Sequence, residues 1–252
     1  MIEHAYILYI DTPDAIKYME ECKASCEAHG ISVTPFMGKK LPCTVEEIKR
    51  DWGFKVDPDV EINSRNLPWM DSWFKEQLCL TGHMSIWNKI ASEHKQAVAV
   101  FEHDAIVKRN FSDVQVHDME FVFLGYRVDH RDDYECIDEP FTKVRIDKFE
   151  GTHAYAITPR TASACLNALV QLPVLPLGTS IDHMMGVRNM FNLPMWVVDP
   201  APVVAAIEDK QSFTQPDQKT ARYNMAPPDG FLKGLKNTDK YMYDPENHWL
   251  VF

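Results

Sequence analysis

Val98-Ala99-Val100-Phe101 is followed directly by Glu102-His103-Asp104. Four apolar residues in a row, rich in valine, are typical of a strand that is buried on both faces. Residues i and i+2 of an extended chain point the same way, so Glu102 and Asp104 are expected to present oxygens to one site. Open α/β sheets bind ligands at the carboxyl ends of strands, and oxygen ligands suit Mg²⁺ or Mn²⁺. The alternative interpretation is that both acids are ordinary turn residues.

Strands and helices alternate along the chain. A strand at 5–10, a helix from Pro13 to Gly30 and a strand at 31–36 predict a βαβ unit with a parallel strand pair. A long helix is expected at 71–95, with a possible break near Thr81-Gly82. Further strands are expected at 121–125, 152–157 and 195–198, and further helices at 162–172 and 181–192. This order predicts an α/β fold with a mixed, mainly parallel central sheet.

Length and composition bound the class of protein. The 252 residues fit a catalytic domain at 1–207 and a polar, aromatic-ended extension at 208–252 that packs on it. The net charge of -11 argues against non-specific binding to nucleic acid or anionic membranes. The six cysteines form no Cys-x-x-Cys motif, which indicates reduced thiols. We see no signal segment and no apolar run near 18 residues, so we expect a cytoplasmic protein without a transmembrane segment.

Five stretches, in this order along the chain, resemble glycosyltransferase family 25, which includes bacterial lipopolysaccharide glycosyltransferases and collagen galactosyltransferases. They are Cys79-Leu80-Thr81-Gly82-His83-Met84-Ser85-Ile86-Trp87, Val100-Phe101-Glu102-His103-Asp104-Ala105, Val122-Phe123-Leu124-Gly125, Gly151-Thr152-His153-Ala154-Tyr155 and Ile181-Asp182-His183. The likeness runs from about Cys79 to about Val204. His103 stands where the family has the middle aspartate of an acidic triplet.

The resemblance implies a GT-A type fold, a Rossmann-like sandwich with one active site. It also implies inverting transfer of a sugar from a nucleotide-sugar donor, UDP-galactose or UDP-glucose, to a hydroxyl of a saccharide or glycolipid acceptor. A divalent metal, Mn²⁺ or Mg²⁺, would stabilise the diphosphate leaving group. Asp104 would bind this metal directly, and Glu102 would bind it through water or contact the ribose. Asp182 is the candidate base for the acceptor hydroxyl, with helix capping as the alternative.

The remaining candidates are polar side chains near the expected strand ends. Donor contacts are expected from Asp11, Thr12, His83 and His103, and the sugar or acceptor pocket from His153 and Tyr155. Asp11 and Thr12 are alternatively helix-capping residues, and His83 and His153 are alternatively buried, hydrogen-bonded histidines. His103 either shifts the metal preference toward softer ions or occupies a solvent-facing position.

Three other functions stay open at this point. Ten histidines permit a metal-dependent phosphodiesterase or hydrolase, but no His-x-His or His-x-x-x-His spacing supports a multi-histidine metal site. The altered acidic triplet permits a non-catalytic nucleotide-sugar-binding module. A glycosyltransferase acting on modified bases in DNA is disfavoured by the acidic chain, although Lys39-Lys40, Lys49-Arg50 and the stretch from Lys233 to Lys240 provide local positive charge.

Overall fold

A computed structural model describes residues 1–39, 70–128, 131–147, 149, 151–171, 181–187, 189–206, 233–234, 242–244 and 249–251. The basic residues Lys40, Lys49 and Arg50 lie outside these ranges. So do the segment directly before Ile181 and most of the predicted extension.

Helices and strands alternate from residue 2 to residue 102, as the sequence predicts, and five further strands precede the α-helix that begins at Pro159. In chain order the elements are β1 (Ile2–Tyr9), α1 (Pro13–Ala28), β2 (Val33–Met37), α2 (Met70–Glu93), β3 (Ala97–Glu102), β4 (Ala105–Val107), β5 (Phe121–Phe123), β6 (Gly125–Val128), β7 (Thr142–Ile146), β8 (Ala154–Ile157), α3 (Pro159–Gln171), β9 (Met195–Asp199), β10 (Val203–Ala206), β11 (Met242–Asp244) and β12 (Trp249–Val251). A 3₁₀ turn covers Arg131–Asp133 and a π-helical turn covers His183–Val187.

The central sheet has seven strands in the order β2-β1-β3-β8-β5-β9-β7. Strand β1 pairs in parallel with β2 and β3, and β5 pairs in parallel with β9. Strands β8 and β7 run antiparallel to their neighbours. The predicted α/β class with a mixed, mainly parallel central sheet is therefore confirmed. A smaller sheet, in the order β4-β10-β6, lies beside it.

Strand β3 separates two hydrophobic cores. Val98 and Val100 belong to the core that also contains buried residues of α2 and α3. Ala99 and Phe101 belong to the core that contains buried residues of α1. Successive side chains of a strand point to opposite faces, so a strand covered by helices on both sides has to be apolar throughout. The prediction of a doubly buried strand at this position is confirmed.

Helix α2 continues through Thr81 and Gly82, so the expected break at this point is wrong. Gly82 lies where the helix approaches β1 closely, because a Cβ atom there would lie 2.7 Å from Cδ1 of Leu8. The Thr81 hydroxyl donates to the Leu78 carbonyl oxygen within the helix at 2.9 Å. The glycine serves helix–strand packing and does not end the helix.

Three other element boundaries differ from the expectation. Strand β3 ends at Glu102, and Asp104 lies in the turn that leads to β4, so the two acids are not on one extended segment. Strand β8 begins at Ala154 rather than at residue 152. The helix expected to reach residue 192 stops earlier, because Asn189 adopts a left-handed φ of 43° and its side chain bonds both backbone polar groups of Leu193.

One described part of the predicted extension contacts the rest of the chain. The Lys233 ammonium lies 2.7 Å from Glu139 Oε2, and the Lys233 amide donates to Asp199 Oδ1 at 3.3 Å. The Gly234 carbonyl accepts from the Glu135 amide at 2.8 Å. Gly234 has a φ of 92°, and a Cβ there would lie 2.1 Å from the Glu135 carbonyl oxygen. The division into 1–207 and 208–252 stays a prediction.

Candidate active site

Glu102 is held at the carboxyl end of β3 by strands on both sides. Leu8 of β1 is its partner in the parallel register, and the Glu102 amide donates to the His153 carbonyl oxygen at 3.0 Å. Both neighbours fix the backbone, so the direction of the side chain is set by the sheet. The side chain is 21% exposed, which keeps it accessible to a ligand at this edge.

The Glu102 carboxylate meets two polar side chains from other elements. The Thr152 hydroxyl donates to Glu102 Oε1. Nε2 of His83 lies 3.6 Å from the same oxygen. The hydrogen bond from Thr152 ties the carboxylate to the segment before β8, so Thr152 orients Glu102.

Helix α2 presents Cys79, His83 and Trp87 on one face, because residues four apart lie above one another on a helix. His83 and Trp87 are fully buried, and Cys79 is half-buried. Trp87 Nε1 donates to the Tyr155 hydroxyl at 2.8 Å, and the same hydroxyl lies 2.8 Å from His83 Nδ1. Tyr155 of β8 thus joins the helix to the sheet.

The Tyr155 hydroxyl keeps its proton and serves as a hydrogen-bond partner. Complete burial holds its pKa well above the ordinary tyrosine value, against the hydrogen bond from Trp87, which lowers the pKa. If His83 Nδ1 accepts from this hydroxyl, the imidazole hydrogen lies on Nε2 and faces Glu102. If Nδ1 donates to it, Nε2 directs a lone pair toward the carboxylate, an arrangement that a cation between the two groups would satisfy.

The ligand atoms of Cys79, His83 and Glu102 all lie within 4.8 Å of one another. Within the described ranges, no other group of three or more His, Cys, Asp or Glu side chains converges in this way. Nε2 of His83 is buried and has no hydrogen-bond partner there. A thiol, an imidazole and a carboxylate are ligand types that divalent transition-metal ions accept, so these residues fit a divalent cation.

The cluster lies inside the part of the chain that matches a known protein family. The model of glycosyltransferase family 25 (LPS biosynthesis protein) matches residues 74–185. The segment carries the signature of glycosyltransferase family 25. The predicted resemblance is confirmed, and with it the predicted enzyme class, a glycosyltransferase. Cys79, His83, Glu102, Thr152 and Tyr155 all lie within the family 25 segment. The mixed sheet agrees with the GT-A type fold that this resemblance implies.

Two solved structures are similar in outline. The inositol-1-phosphate CTP transferase from T. maritima has a TM-score of 0.41 and 12% identity, covering 84% of this chain and 92% of the other. A glycosyltransferase involved in the glycosylation of the major capsid of PBCV-1 has a TM-score of 0.32 and 15% identity, covering 80% and 92%. Likenesses at these TM-scores carry no argument about activity. No curated protein matches the chain.

The structure places the other predicted donor residues around the same edge of the sheet. Asp11 and Thr12 follow β1, whose carboxyl end lies beside that of β3. Thr12 caps α1, since its side chain accepts from the Ala15 amide at 3.3 Å. His103 packs against Tyr18 of α1, with the ring centroids 6.3 Å apart. Donor binding by these residues, and by the fully buried His83, stays a prediction.

The remaining predicted residues are placed as follows. Asp104 lies in the turn after β3 and is not part of the cluster of three ligands. His153 and Tyr155 are fully buried at and near the start of β8. Asp182 is half-buried at the start of the helical segment that includes His183–Val187. Metal binding by Asp104, the pocket role of His153 and Tyr155, and the base role of Asp182 stay predictions.

Sequence reasoning missed Cys79 and Thr152 as functional candidates. The chain has no pair of histidines at metal-binding spacing, but Cys79 and His83 stand at the i, i+4 spacing that places two ligands on one helix face. Thr152 has no local signal, because its contact with Glu102 depends on the pairing of β8 with β3.

Among the described helices, none is long and apolar enough to cross a membrane.

Proposed function

We propose that the chain transfers a hexose from a nucleotide-sugar donor, a UDP-sugar, to a hydroxyl of a saccharide or glycolipid acceptor, with metal assistance and inversion at the sugar carbon. The observation that carries this proposal is the convergence of Glu102 with Thr152, His83 and Cys79 inside the family 25 segment. The donor sugar and the inversion follow the family resemblance. The proposal places the enzyme in the cytoplasm, in keeping with the absence of disulfides among the described cysteines.

Each residue has a proposed task. Glu102, oriented by Thr152, and Asp104 hold the cation and the donor at the carboxyl ends of the strands. A bound divalent cation supplies positive charge against the diphosphate leaving group. Asp11 and Thr12 contact the nucleoside, and Asp182 takes the proton of the acceptor hydroxyl as that oxygen attacks the sugar carbon opposite the leaving diphosphate. A nucleic-acid acceptor is disfavoured by the net charge of -11.

Nucleotide release tests the reaction class. The purified protein is incubated with UDP-, GDP- and CMP-sugars, with Mn²⁺, Mg²⁺ or EDTA, with and without a saccharide acceptor panel. We expect metal-dependent release from one donor that an acceptor stimulates. Glu102→Gln and Asp104→Asn are each expected to lower release by roughly 10²-fold, whereas the control Glu93→Gln, at an exposed site on α2, leaves it unchanged.

Two outcomes would contradict the proposal. No release from any donor, together with no thermal stabilisation by nucleotide plus metal, would leave the sheet edge without a donor site. Release that acceptors never stimulate, with water as the only acceptor, would favour the metal-dependent hydrolase.

A further inference from the structure

We propose that Cys79, His83 and Glu102 form a cation site of the zinc type, which takes borderline ions such as Zn²⁺ or Co²⁺ in preference to Mg²⁺. This inference rests on the proposed function and names the class of metal that its site would bind. Metal binding is measured on the protein without donor, so it is tested separately from sugar transfer. The zinc-type site places Glu102 in a ligand set with Cys79 and His83, in place of the oxygen-only pair of Glu102 and Asp104 in the proposed function.

The spacing of the three side chains is close to that of ligands around one zinc ion. Cys79 and His83 lie one helical turn apart on α2, and Glu102 reaches them from β3. Two nitrogen or oxygen ligands that are each ~2.0–2.1 Å from a tetrahedral zinc lie about 3.3–3.4 Å apart. The measured separation of 3.6 Å between His83 Nε2 and Glu102 Oε1 is close to that value. It exceeds the distance of a normal hydrogen bond between these two atoms.

A buried ring nitrogen of His83 also favours a bound cation. His83 is fully buried, and its Nε2 has no hydrogen-bond partner among the described residues. Leaving a buried polar atom unsatisfied destabilises a folded protein. A cation between Nε2 and the Glu102 carboxylate would satisfy the nitrogen lone pair and the negative charge together.

The surrounding hydrogen bonds are those that support a metal ligand. Ligating histidines usually use their second ring nitrogen to donate to an oxygen, which fixes the ring orientation. Here the second nitrogen, Nδ1, lies 2.8 Å from the Tyr155 hydroxyl, which Trp87 also holds at 2.8 Å. Thr152 in turn bonds the ligating carboxylate. His83 and Glu102 are therefore held in their orientations by other side chains before a metal binds.

The ligand types decide the metal class. Thiolate and imidazole bind zinc-like ions well, whereas Mg²⁺ demands octahedral oxygen ligands. Three protein ligands leave a fourth tetrahedral position open, as in catalytic rather than structural zinc sites. Glu102 is 21% exposed, so the site can be reached from the edge at which a donor would bind.

Cobalt binding to the full chain tests the site. The protein is stripped with a chelator and titrated with Co²⁺ while absorption is recorded, and Zn²⁺ affinity is measured by calorimetry. We expect one equivalent of Co²⁺ to give tetrahedral d–d bands and a thiolate charge-transfer band. Cys79→Ser should abolish that band and weaken Zn²⁺ binding by at least about 10-fold, since even partners of a ligand contribute 10–100-fold. The matched control, Cys136→Ser at another half-buried thiol, should change neither.

A second measurement needs no variant. The thiols of the wild-type protein are alkylated with and without Zn²⁺, and the modified peptides are mapped by mass spectrometry. We expect Zn²⁺ to protect Cys79 and to leave the alkylation of Cys136 unchanged. A cobalt band that survives Cys79→Ser, or Cys79 alkylation that Zn²⁺ does not slow, would overturn the proposal. Zinc binding without any donor turnover would leave the site standing and refute the transfer reaction alone.

Discussion

The Tyr155 hydroxyl lies 2.8 Å from His83 Nδ1, deep inside the protein and 72 positions away along the chain. This single contact connects the middle of β8 to α2 and sets the orientation of an imidazole whose other nitrogen faces Glu102. A core hydrogen bond thereby determines how the functional edge of the sheet is built.

Tyr155→Phe should destabilise the protein. The substitution leaves Trp87 Nε1 and His83 Nδ1 buried without this partner, so we expect a loss of about 1–3 kcal/mol in the free energy of unfolding. Urea unfolding measures it. Tyr6→Phe is the matched control, since it removes a 2.9 Å contact with the half-buried His94, which water can replace, and it should cost less. Equal losses in both variants would contradict this view of the buried cluster.

Thr152→Val should lower nucleotide release from the donor more than it lowers the stability of the folded protein. The variant keeps the shape of the side chain but removes the hydroxyl that donates to Glu102. A hydrogen bond to a charged group contributes about 1.5–3 kcal/mol, so donor release should fall by roughly 10-fold or more. Release is compared with that of Thr142→Val, at an exposed position on β7. Unchanged release in Thr152→Val would show that Glu102 does not depend on this donor.

Asp182→Asn should separate donor binding from transfer. If Asp182 is the base, the amide cannot take the acceptor proton, and transfer should fall by about 10²–10⁴-fold. Donor affinity, measured by calorimetry with the nucleotide and metal, should stay within a factor of two or so. The exposed Asp113→Asn serves as control. A fall in donor affinity with normal turnover would instead assign Asp182 to donor binding or to helix capping.

Gly186→Ala should be strongly destabilising. A Cβ at this position would lie 1.7 Å from the Phe149 carbonyl oxygen, a backbone atom of a fully buried residue between β7 and β8. We expect a loss of about 3 kcal/mol or more in urea unfolding. Gly82→Ala meets only the end of the Leu8 side chain and gains helix propensity of about 1 kcal/mol, so it should be far milder. Similar losses at both positions would argue against this distinction.

His4 should make the protein less stable in acid. Burial, followed by the neighbouring His94, lowers the pKa of His4 below its usual value of 6.5. The unfolded chain therefore binds more protons than the folded one between the lowered pKa and 6.5, so stability is complete above this window and falls as the pH drops through it. His4→Gln should flatten the dependence of the urea midpoint on pH in this window. An unchanged slope would contradict it, and the exposed His117→Gln is the control.

Several features followed from the sequence alone. The unbroken apolar run from Val98 to Phe101 and the alternation of strands and helices predict the α/β sheet, because both periodicities are local properties of the chain. The family 25 motifs predict the enzyme class in the same way. Helix ends were less certain, because a glycine such as Gly82 has the same local signal whether it ends a helix or allows close packing.

Only the tertiary structure decided the composition of the site. Cys79 and His83 share a helix face by local geometry, but they meet Glu102 because α2 and β3 share one hydrophobic core. His83 meets Tyr155 because β8 pairs antiparallel with β3. Strand order is a global choice that depends on burying both faces of the sheet at once, and no local pattern encodes it. The sequence therefore determined which chemistry was available, and the packing of helix on sheet determined which residues carry it together.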